Sequence, residues 1–427
     1  MPQTPPIVCV SFNSPPQNDA EAICTARLLS SLAEMGCEVH WITAAHTRTL
    51  DESVEQEIVS PKIRITRVQI PCLTQSVKFM LEMRHQVHVP HLEWVSPAIT
   101  AARKKLSEIR GAVLLTRSMP VVSNIVGYYC RSLPAAWIAH LSDPYPFSFT
   151  SNKGVTTFAS VLLHRRWAKR IIENADLITV TCQNAARFMK ERLRIRFTDR
   201  TLVLTHLGLP KLARGGAILE RKKNEFWLAH FGALMTHRNP EVLLAGLSRA
   251  AKRIPHLRFL QLGYIDSDVV HRPGCDSIIR LQDDRNLNPR DASDLREQVD
   301  VNVIVDADIG TEYSPFIASK YPHSVCSGRP LLMITHPDSA MNDYTRVHGG
   351  GVVASYRNPG EVERAILELH SDREKGDRSY FPSSELLNQF SAETIIPPFI
   401  EKLKSLAGKS DRPHPAPADF LLPNSVF

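Results

Sequence analysis

Apolar and polar positions along the first 45 residues follow two different periods. A β-rich run at 7–12 (IVCVSF) precedes a polar turn at 13–19, and a second β-rich run begins at Cys37. Between them apolar residues recur every three or four positions, as on one face of a helix: Ile23, Ala26, Leu29 and Ala33. A strand, a helix and a strand in this order form a βαβ unit, which implies a parallel sheet with a right-handed crossover.

The same alternation continues and then restarts after residue 223. Up to that point further strands are predicted at 112–117, 135–141, 176–181 and 201–208. After it they are predicted at 226–232, 257–263, 299–305, 330–335 and 351–356. The region from 45 to about 100 has no clear period. We therefore predict an α/β protein of two doubly wound, Rossmann-like domains joined by a Gly-Pro segment.

The predicted division places residues 1–208 in the first domain and 209–390 in the second. A helix near 391–407 is expected to pack back onto the first domain. The Pro-rich tail, 408–427, is expected to be non-helical.

Sheets of this kind bind ligands at the carboxyl ends of their strands. Gly232 ends one predicted strand and permits close backbone approach, and Arg238 follows with a planar group suited to diphosphate oxygens. Ser319 and Lys320 stand after the strand at 299–305, where a predicted helix begins and its N–H groups favour an anion. We predict that Arg238 and Lys320 grip one pyrophosphate. The alternative is that each is an ordinary solvated side chain.

Composition narrows the class of protein. The chain has 427 residues, of which 43% are apolar and 22% charged, as in soluble globular proteins. It contains neither a long apolar span nor a signal peptide, so we expect a cytoplasmic protein. The eight cysteines are scattered without a C-x-x-C pair, which indicates reduced thiols. The glycine fingerprint of dinucleotide-binding enzymes and the Walker A sequence are both absent.

Positive charge is concentrated in the first domain. Residues 1–208 carry 24 Lys and Arg against 16 Asp and Glu, whereas the remainder carries 27 against 28. A one-sided positive field suits an anionic partner such as a membrane surface or a lipid phosphate. The alternative is a set of solvated helix faces. Nucleic acid is disfavoured because aromatic residues are sparse and no binding module is present.

Five segments together resemble a family-4-type retaining glycosyltransferase of the GT-B fold. Their order and spacing, rather than any single motif, carry the resemblance, which spans most of the chain. The segments are 20–43 (AEAICTARLLSSLAEMGCEVHWIT), 175–193 (ADLITVTCQNAARFMKERL), 230–247 (HFGALMTHRNPEVLLAGL), 314–339 (SPFIASKYPHSVCSGRPLLMITHPDS) and 348–366 (HGGGVVASYRNPGEVERAI).

The resemblance implies a fold of two Rossmann-like domains facing a cleft, with the nucleotide sugar held by the second domain. Arg238 and Lys320 match the basic pair that neutralises the donor diphosphate, and Gly232 matches the close-approach glycine. The other implied donor-binding residues are Tyr313, Ser314, Phe316, Ser319 and His323. The family often has two glutamates here, and this chain has Pro315 and His323 in their places. A histidine can still bond a ribose hydroxyl.

In the first domain, the resemblance implies that His140 or Asp143 faces the reacting sugar, with Asp143 favoured because Asp-Pro after a strand places a carboxylate at the rim. The alternatives are a buried core histidine and a turn residue. The first loop offers Asn13, Asn18 and Glu21 to the acceptor, while Asp19 is also suited to capping the next helix.

The resemblance further implies front-face attack without a protein nucleophile. No metal is expected, since Arg238 and Lys320 can do its work at the diphosphate.

The resemblance thus implies transfer of a sugar from a UDP- or GDP-sugar to a glycan, lipid-linked or other glycoconjugate acceptor in surface polysaccharide assembly. The basic domain favours peripheral contact with the inner face of the membrane. A non-catalytic GT-B-like partner of another glycosyltransferase is the alternative, motivated by the missing glutamates. A sugar-nucleotide epimerase is disfavoured because the catalytic acids it needs are not evident.

Overall fold

The first half of the protein is a parallel sheet of seven described strands. In this computed structural model, the described residues are 4–45, 52–87, 89–145, 158–194, 200–209, 216–234, 238, 240–265, 279–282 and 287–408. The strand order is β3-β2-β1-β4-β5-β6-β7. The strands are β1 Ile7–Ser11, β2 Val39–Ala45, β3 Arg64–Gln69, β4 Val113–Ser118, β5 Ala136–Leu141, β6 Leu177–Val180 and β7 Thr201–Val203.

Helices cover both faces of this sheet. They are α1 Ala20–Glu34, α2 Glu52–Ile58, α3 Gln75–His85, α4 Val95–Glu108, α5 Val122–Cys130, α6 Phe158–Asn174 and α7 Gln183–Leu193, with a 3₁₀ helix at Leu92–Trp94. Asp19 caps α1 by accepting a hydrogen bond from the backbone N–H of Ala22 at 2.8 Å, as the sequence predicted. Both faces of β1 are buried: Ile7 faces one apolar core and Val8 the other.

The second half is a parallel sheet of six described strands in the order β10-β9-β8-β11-β12-β13. The strands are β8 Phe226–Phe231, β9 Leu257–Leu262, β10 Ile279–Gln282, β11 Val301–Val305, β12 Leu331–Thr335 and β13 Gly351–Ser355. The helices are α8 Pro240–Ala251, α9 Pro289–Gln298, α10 Lys320–Cys326, α11 Ala340–His348, α12 Pro359–Lys375, α13 Ser384–Gln389 and α14 Ala392–Ala407.

The last helix, α14, lies on the first sheet. Ile396, Phe399 and Leu403 are buried in the core that also contains Ile7 and Leu29. The chain therefore returns to its first half after completing the second sheet. Most of the tail, 409–427, lies outside the described residues.

Three strands differ from the sequence predictions. The strand predicted at 201–208 ends at Val203, and neither β3 nor β10 was predicted. Of the cysteines that are described, Cys72 and Cys326 are exposed, and none forms a disulfide.

Candidate active site

The second sheet reverses its strand order between β8 and β11. These two strands are parallel neighbours although β9 and β10 separate them in the chain. Gly232 follows β8 directly, and Asp306 follows β11 directly. Open α/β sheets bind ligands in the crevice at such a switch point, so this edge is the expected place for a ligand.

Gly232 and Lys320 are in contact at this edge. Gly232 has a φ of +106°, and a Cβ built on it would fall on the Nζ atom of Lys320. Lys320 is the first residue of α10. Any side chain at position 232 would therefore displace the amine. The structure thus brings together two of the residues that the sequence predicted for donor binding.

Arg238 lies against the end of β11. Its Nη1 donates a hydrogen bond to the carbonyl oxygen of Val305 at 3.0 Å. Burial lowers the pKa of Arg238, and the negative charges of Asp306 and Asp143 oppose that shift. Asp306 belongs to the second sheet and Asp143 to the first, so the guanidinium lies where carboxylates of both halves act on it.

Asp306 was missed by the sequence reasoning. Its carboxylate is buried and accepts hydrogen bonds from Ser314 Oγ at 2.5 Å, from Thr335 Oγ1 at 2.8 Å and from the backbone N–H of Ala307 at 2.8 Å. Burial raises the pKa of Asp306, and these bonds oppose the rise. Its signal was available, because Asp306 directly follows an apolar strand, and the end of a strand is the position at which Gly232 was selected.

Asp143 lies two residues after β5, on the other side of the cleft. Burial raises its pKa to about 6, the charge of Arg238 opposes the rise, and Asp306 adds to it. The side chain thus lies within electrostatic range of a cation and of a second carboxyl group, both of which belong to the other half. A role for Asp143 at the reacting sugar stays a prediction.

Glu21 occupies the matching switch point of the first sheet, between β1 and β4. It accepts hydrogen bonds from Ser142 Oγ at 3.1 Å and from the backbone N–H of Met119 at 3.2 Å. The buried Arg117, at the end of β4, has Nη2 at 3.8 Å from Glu21 Oε2. Burial raises the pKa of Glu21 to about 7, and Arg117 opposes the rise. Arg117 was not predicted, since it is embedded in an apolar strand.

Two buried histidines are hydrogen-bonded through one ring nitrogen only. His140, in β5, has Nδ1 at 2.9 Å from Thr179 Oγ1, and its Nε2 has no hydrogen-bond partner among the described residues. Burial holds its pKa well below the ordinary value, assisted by Arg117. These contacts match the alternative of a core histidine, and a role for His140 at the sugar stays a prediction.

His230, in β8, has the same arrangement and was not predicted. Its Nδ1 lies 2.9 Å from Gln261 Oε1, and its Nε2 likewise lacks a partner within the described part of the chain. Burial holds its pKa well below the ordinary value, and the charges of Lys320 and Arg238 add to that effect. An uncharged imidazole therefore lies close to Lys320 and Arg238, the predicted pyrophosphate-binding pair.

The loop that leads to Lys320 is anchored by three predicted donor residues. Tyr313 donates a hydrogen bond to Glu191 of α7 at 2.5 Å, and Ser314 holds Asp306. Phe316 is buried, and its N–H donates to Ser314 Oγ at 3.3 Å. Ser319 precedes α10 with a helical backbone and makes no capping bond. The side chains of Tyr313 and Ser314 thus already have protein partners, and contact with a donor stays a prediction for all four.

His323 contacts the segment that joins the two sheets. Its Nδ1 accepts a hydrogen bond from the backbone N–H of Leu209 at 3.1 Å. Burial holds its pKa well below the ordinary value, and Arg296, Arg27 and His206 contribute. Only Nε2 therefore remains for a ribose hydroxyl, so the predicted role of His323 uses one side of the ring.

The predicted acceptor residues of the first loop are arranged differently from one another. The carbonyl oxygen of Asn13 accepts a hydrogen bond from Ser11 Oγ at 3.1 Å. Asn18 donates from Nδ2 to the carbonyl oxygen of Leu287 at 2.8 Å, which ties the loop to the second half. Glu21 accepts hydrogen bonds from Ser142 Oγ and the backbone N–H of Met119, as described above. Their contact with an acceptor stays a prediction.

Comparison with known proteins addresses the fold. No family profile matches the sequence, and no curated protein matches it. Sucrose-phosphate synthase from Thermosynechococcus elongatus superposes with a TM-score of 0.60 at 16% identity, over 95% of this chain and 98% of that one. Anabaena Alr3699/HepE, in complex with UDP and glucose, gives a TM-score of 0.65 at 13% identity, over 93% and 99%. A glycosyltransferase from Rickettsia africae gives 0.61 at 12% identity, over 94% and 98%.

The fold is GT-B. At these identities the likeness establishes the architecture, which the sequence had predicted. In this GT-B chain, Asp143 approaches from one half and Arg238 with Asp306 from the other, so the candidate site lies in the cleft between the two sheets.

Two further observations concern metals and membranes. Among the described residues, His, Cys, Asp and Glu side chains form no group of three or more that could hold a metal ion. No helix in the described part of this GT-B chain is long and apolar enough to cross a membrane. Metal independence stays a prediction.

Proposed function

We propose that the protein is a retaining glycosyltransferase of the family-4 type. The observation that carries the proposal is the contact of Lys320 with Gly232 beside Arg238, at neighbouring strand ends that face Asp143 across the cleft. Two cations at the crevice of a doubly wound sheet suit the diphosphate of a UDP- or GDP-sugar. The structure of Anabaena HepE with UDP and glucose supports this choice of donor class.

The proposed chemistry is electrostatic. As the bond from the anomeric carbon to the donor phosphate breaks, negative charge grows on the leaving diphosphate, and Lys320 and Arg238 stabilise it. The acceptor hydroxyl attacks from the same face, and its proton passes to the departing phosphate. Asp143 orients the acceptor and stabilises positive charge on the sugar ring. Neither a protein nucleophile nor a metal is required.

The acceptor we propose is a glycan, lipid-linked or other glycoconjugate in surface polysaccharide assembly. The basic charge of the first 208 residues suits an anionic acceptor, such as a lipid-linked diphosphate. The reaction would take place in the cytoplasm, at the inner face of the membrane.

A panel of UDP-, GDP-, dTDP- and ADP-sugars tests the proposal. We expect nucleotide release from one of them, without added metal, and calorimetric binding of the same donor. Arg238→Ala and Lys320→Ala are each expected to lower kcat by about 100-fold or more, as when a transition-state donor is removed. Arg346→Ala and Lys222→Ala, which remove exposed cations elsewhere in the second half, should leave the rate unchanged.

A second function is favoured by one observation, the bond from Leu209 to His323 at the position of a usual glutamate. A non-catalytic GT-B partner of another glycosyltransferase could use His323 to fix its linker rather than to hold a ribose. Donor binding without nucleotide release would support this second function. Binding of no sugar nucleotide at all would overturn the enzyme proposal.

A further inference from the structure

Helix α3 presents an apolar face to solvent. None of its residues is buried. Phe79, Met80 and Met83 are 60%, 58% and 65% exposed. Met83 lies four residues after Phe79 and three after Met80, so the three side chains fall within an arc of about 100° on the helix. Three large apolar side chains on one exposed helix face are unusual for a soluble surface. Something apolar is therefore expected to cover them.

Helix α3 lies beside the carboxyl edge of the first sheet, where the cleft opens. It follows β3 and is succeeded by Trp94, whose ring packs edge-on against Phe12 at the end of β1, with centroids 5.3 Å apart. Lys78, near the start of α3, forms an ion pair with Glu93 at 3.3 Å. An apolar surface that α3 contacts would therefore lie next to the acceptor side of the cleft.

Helix α6 adds a basic face next to α3. Trp167 of α6 donates from Nε1 to the carbonyl oxygen of His85, the last residue of α3, at 2.7 Å. Arg166 and Lys169 of α6 are exposed and lie three residues apart, whereas the exposed Arg165 donates a hydrogen bond to the carbonyl oxygen of Arg192 at the end of α7. The sequences of the two helices together contain six Lys and Arg but only two Glu. The apolar stripe thus has a positively charged neighbour.

We propose that these two faces form one surface that docks on an anionic lipid membrane. The α3–α6 surface consists of Phe79, Met80 and Met83 with Arg166 and Lys169. Its apolar side chains enter the boundary between headgroups and acyl chains, and its basic side chains bind lipid phosphates. This locates the membrane contact included in the proposed function, and it would bring a lipid-linked acceptor to the cleft.

Charge favours a membrane over a second copy of the chain. A symmetric dimer through this surface would place the same cluster of cations against itself, and like charges in contact oppose association. An anionic bilayer satisfies both properties at once, since it has negative headgroups above an apolar interior.

Vesicle flotation of the full chain tests the inference without any sugar transfer, so it can fail independently of the proposed activity. We expect flotation with vesicles of equal parts phosphatidylglycerol and phosphatidylcholine, and much less with phosphatidylcholine alone. Phe79→Ser/Met80→Ser/Met83→Ser should lower partition into the anionic vesicles by about tenfold or more. Arg166→Gln/Lys169→Gln should also lower partition into the anionic vesicles. The partition of this variant should fall further as salt rises, because salt screens the remaining cations.

Matched controls lie in the second half. Ile218→Ser/Val347→Ser replaces apolar residues that are 80% and 65% exposed, and Lys222→Gln/Lys223→Gln removes exposed cations; both should float like the original protein. Circular dichroism checks folding, and the Arg166/Lys169 variant carries the test if the triple variant misfolds. Failure of the original protein to float, or equal flotation of the surface and control variants, overturns the proposal. So does loss of a dimer in the triple variant without flotation of the original chain.

Discussion

At the scale of single residues, the candidate site depends on a contact that is possible only because position 232 has no side chain. Gly232 leaves the space that Lys320 Nζ occupies, and its φ of +106° is one that side chains disfavour. Backbone freedom and space for a cation are thus both supplied by one glycine. The presence of Lys320 alone does not reveal that position 232 must supply this backbone freedom and this space.

Gly232→Ala is expected to weaken donor binding more than it weakens the fold. The new methyl group would displace the Lys320 amine, whereas the positive φ costs the fold about 1–2 kcal/mol. Calorimetry should show at least a tenfold loss of nucleotide-sugar affinity, and urea denaturation a small loss of stability. Gly36→Ala is the control, because Gly36 has a φ of +89° with open space around it. Equal donor affinity in the two variants would contradict the assigned contact.

The residues that the sequence predicted and those it missed have different physical signals. Gly232, Arg238 and Lys320 were accessible because parallel strands direct their carboxyl ends to one edge, so proximity follows from topology. Arg117 and His230 are buried polar residues within apolar strands, and their place near the candidate site depends on which strands are neighbours. Their recognition therefore required the sheet order.

At the scale of elements, exposure explains why the sequence did not predict strand β3 and helix α3. The side chains of β3 are mostly exposed at the sheet edge, so its sequence (RITRVQ) lacks an apolar run. In α3 none of the residues is buried, so the periodic signal of a core-facing helix is absent. Helices α1, which is buried over most of its length, and α14, which buries one face, were placed within a few residues of their observed bounds.

Helix α7 and the loop before α10 form a clasp across the cleft. Tyr313 donates to Glu191, and its ring lies 3.9 Å from the guanidinium carbon of Arg187. Arg187 also pairs with Asp338 at 2.9 Å. These contacts connect α7 of the first half to the segment that ends at Lys320. Any motion that separates α7 from Tyr313 and Asp338 must therefore break them.

Tyr313→Phe is expected to loosen this clasp while keeping the ring contact. Loss of the hydroxyl removes one hydrogen bond to a charged group, which contributes about 1.5–3 kcal/mol. Hydrogen exchange should become faster in α7 and in 313–320 and remain unchanged in α12. Tyr380→Phe is the control, because Tyr380 donates to Glu368 within the second half. Faster exchange at 313–320 in the control variant, or none in Tyr313→Phe, would argue against the clasp.

At the scale of the whole molecule, buried titrating groups give stability two opposing dependences on pH. His140, His230 and His323 have pKa values held well below 6.5 by burial. Below pH 6.5 these histidines bind protons in the unfolded chain but not in the folded protein, so folding stability falls as pH falls. Glu21 and Asp143 have the opposite effect, since burial raises their pKa values to about 7 and about 6.

Glu21→Gln isolates one of these effects. Between its ordinary pKa of 4.5 and about 7, Glu21 keeps its proton in the folded state but loses it in the unfolded chain. The unfolded state then binds fewer protons, so this contribution to stability is complete below pH 4.5 and is lost as pH rises through 7, by up to about 3 kcal/mol. Urea denaturation at several pH values should show that the variant gains on the original protein as pH rises from 4.5 to 7. Glu108→Gln is the control: its carboxylate is exposed and its pKa is lowered by Lys105, so the variant should lose slightly as pH rises. A flat difference for Glu21→Gln would mean that Arg117 and Ser142 fully compensate the buried charge, and the cleft would then hold an ionised Glu21 throughout.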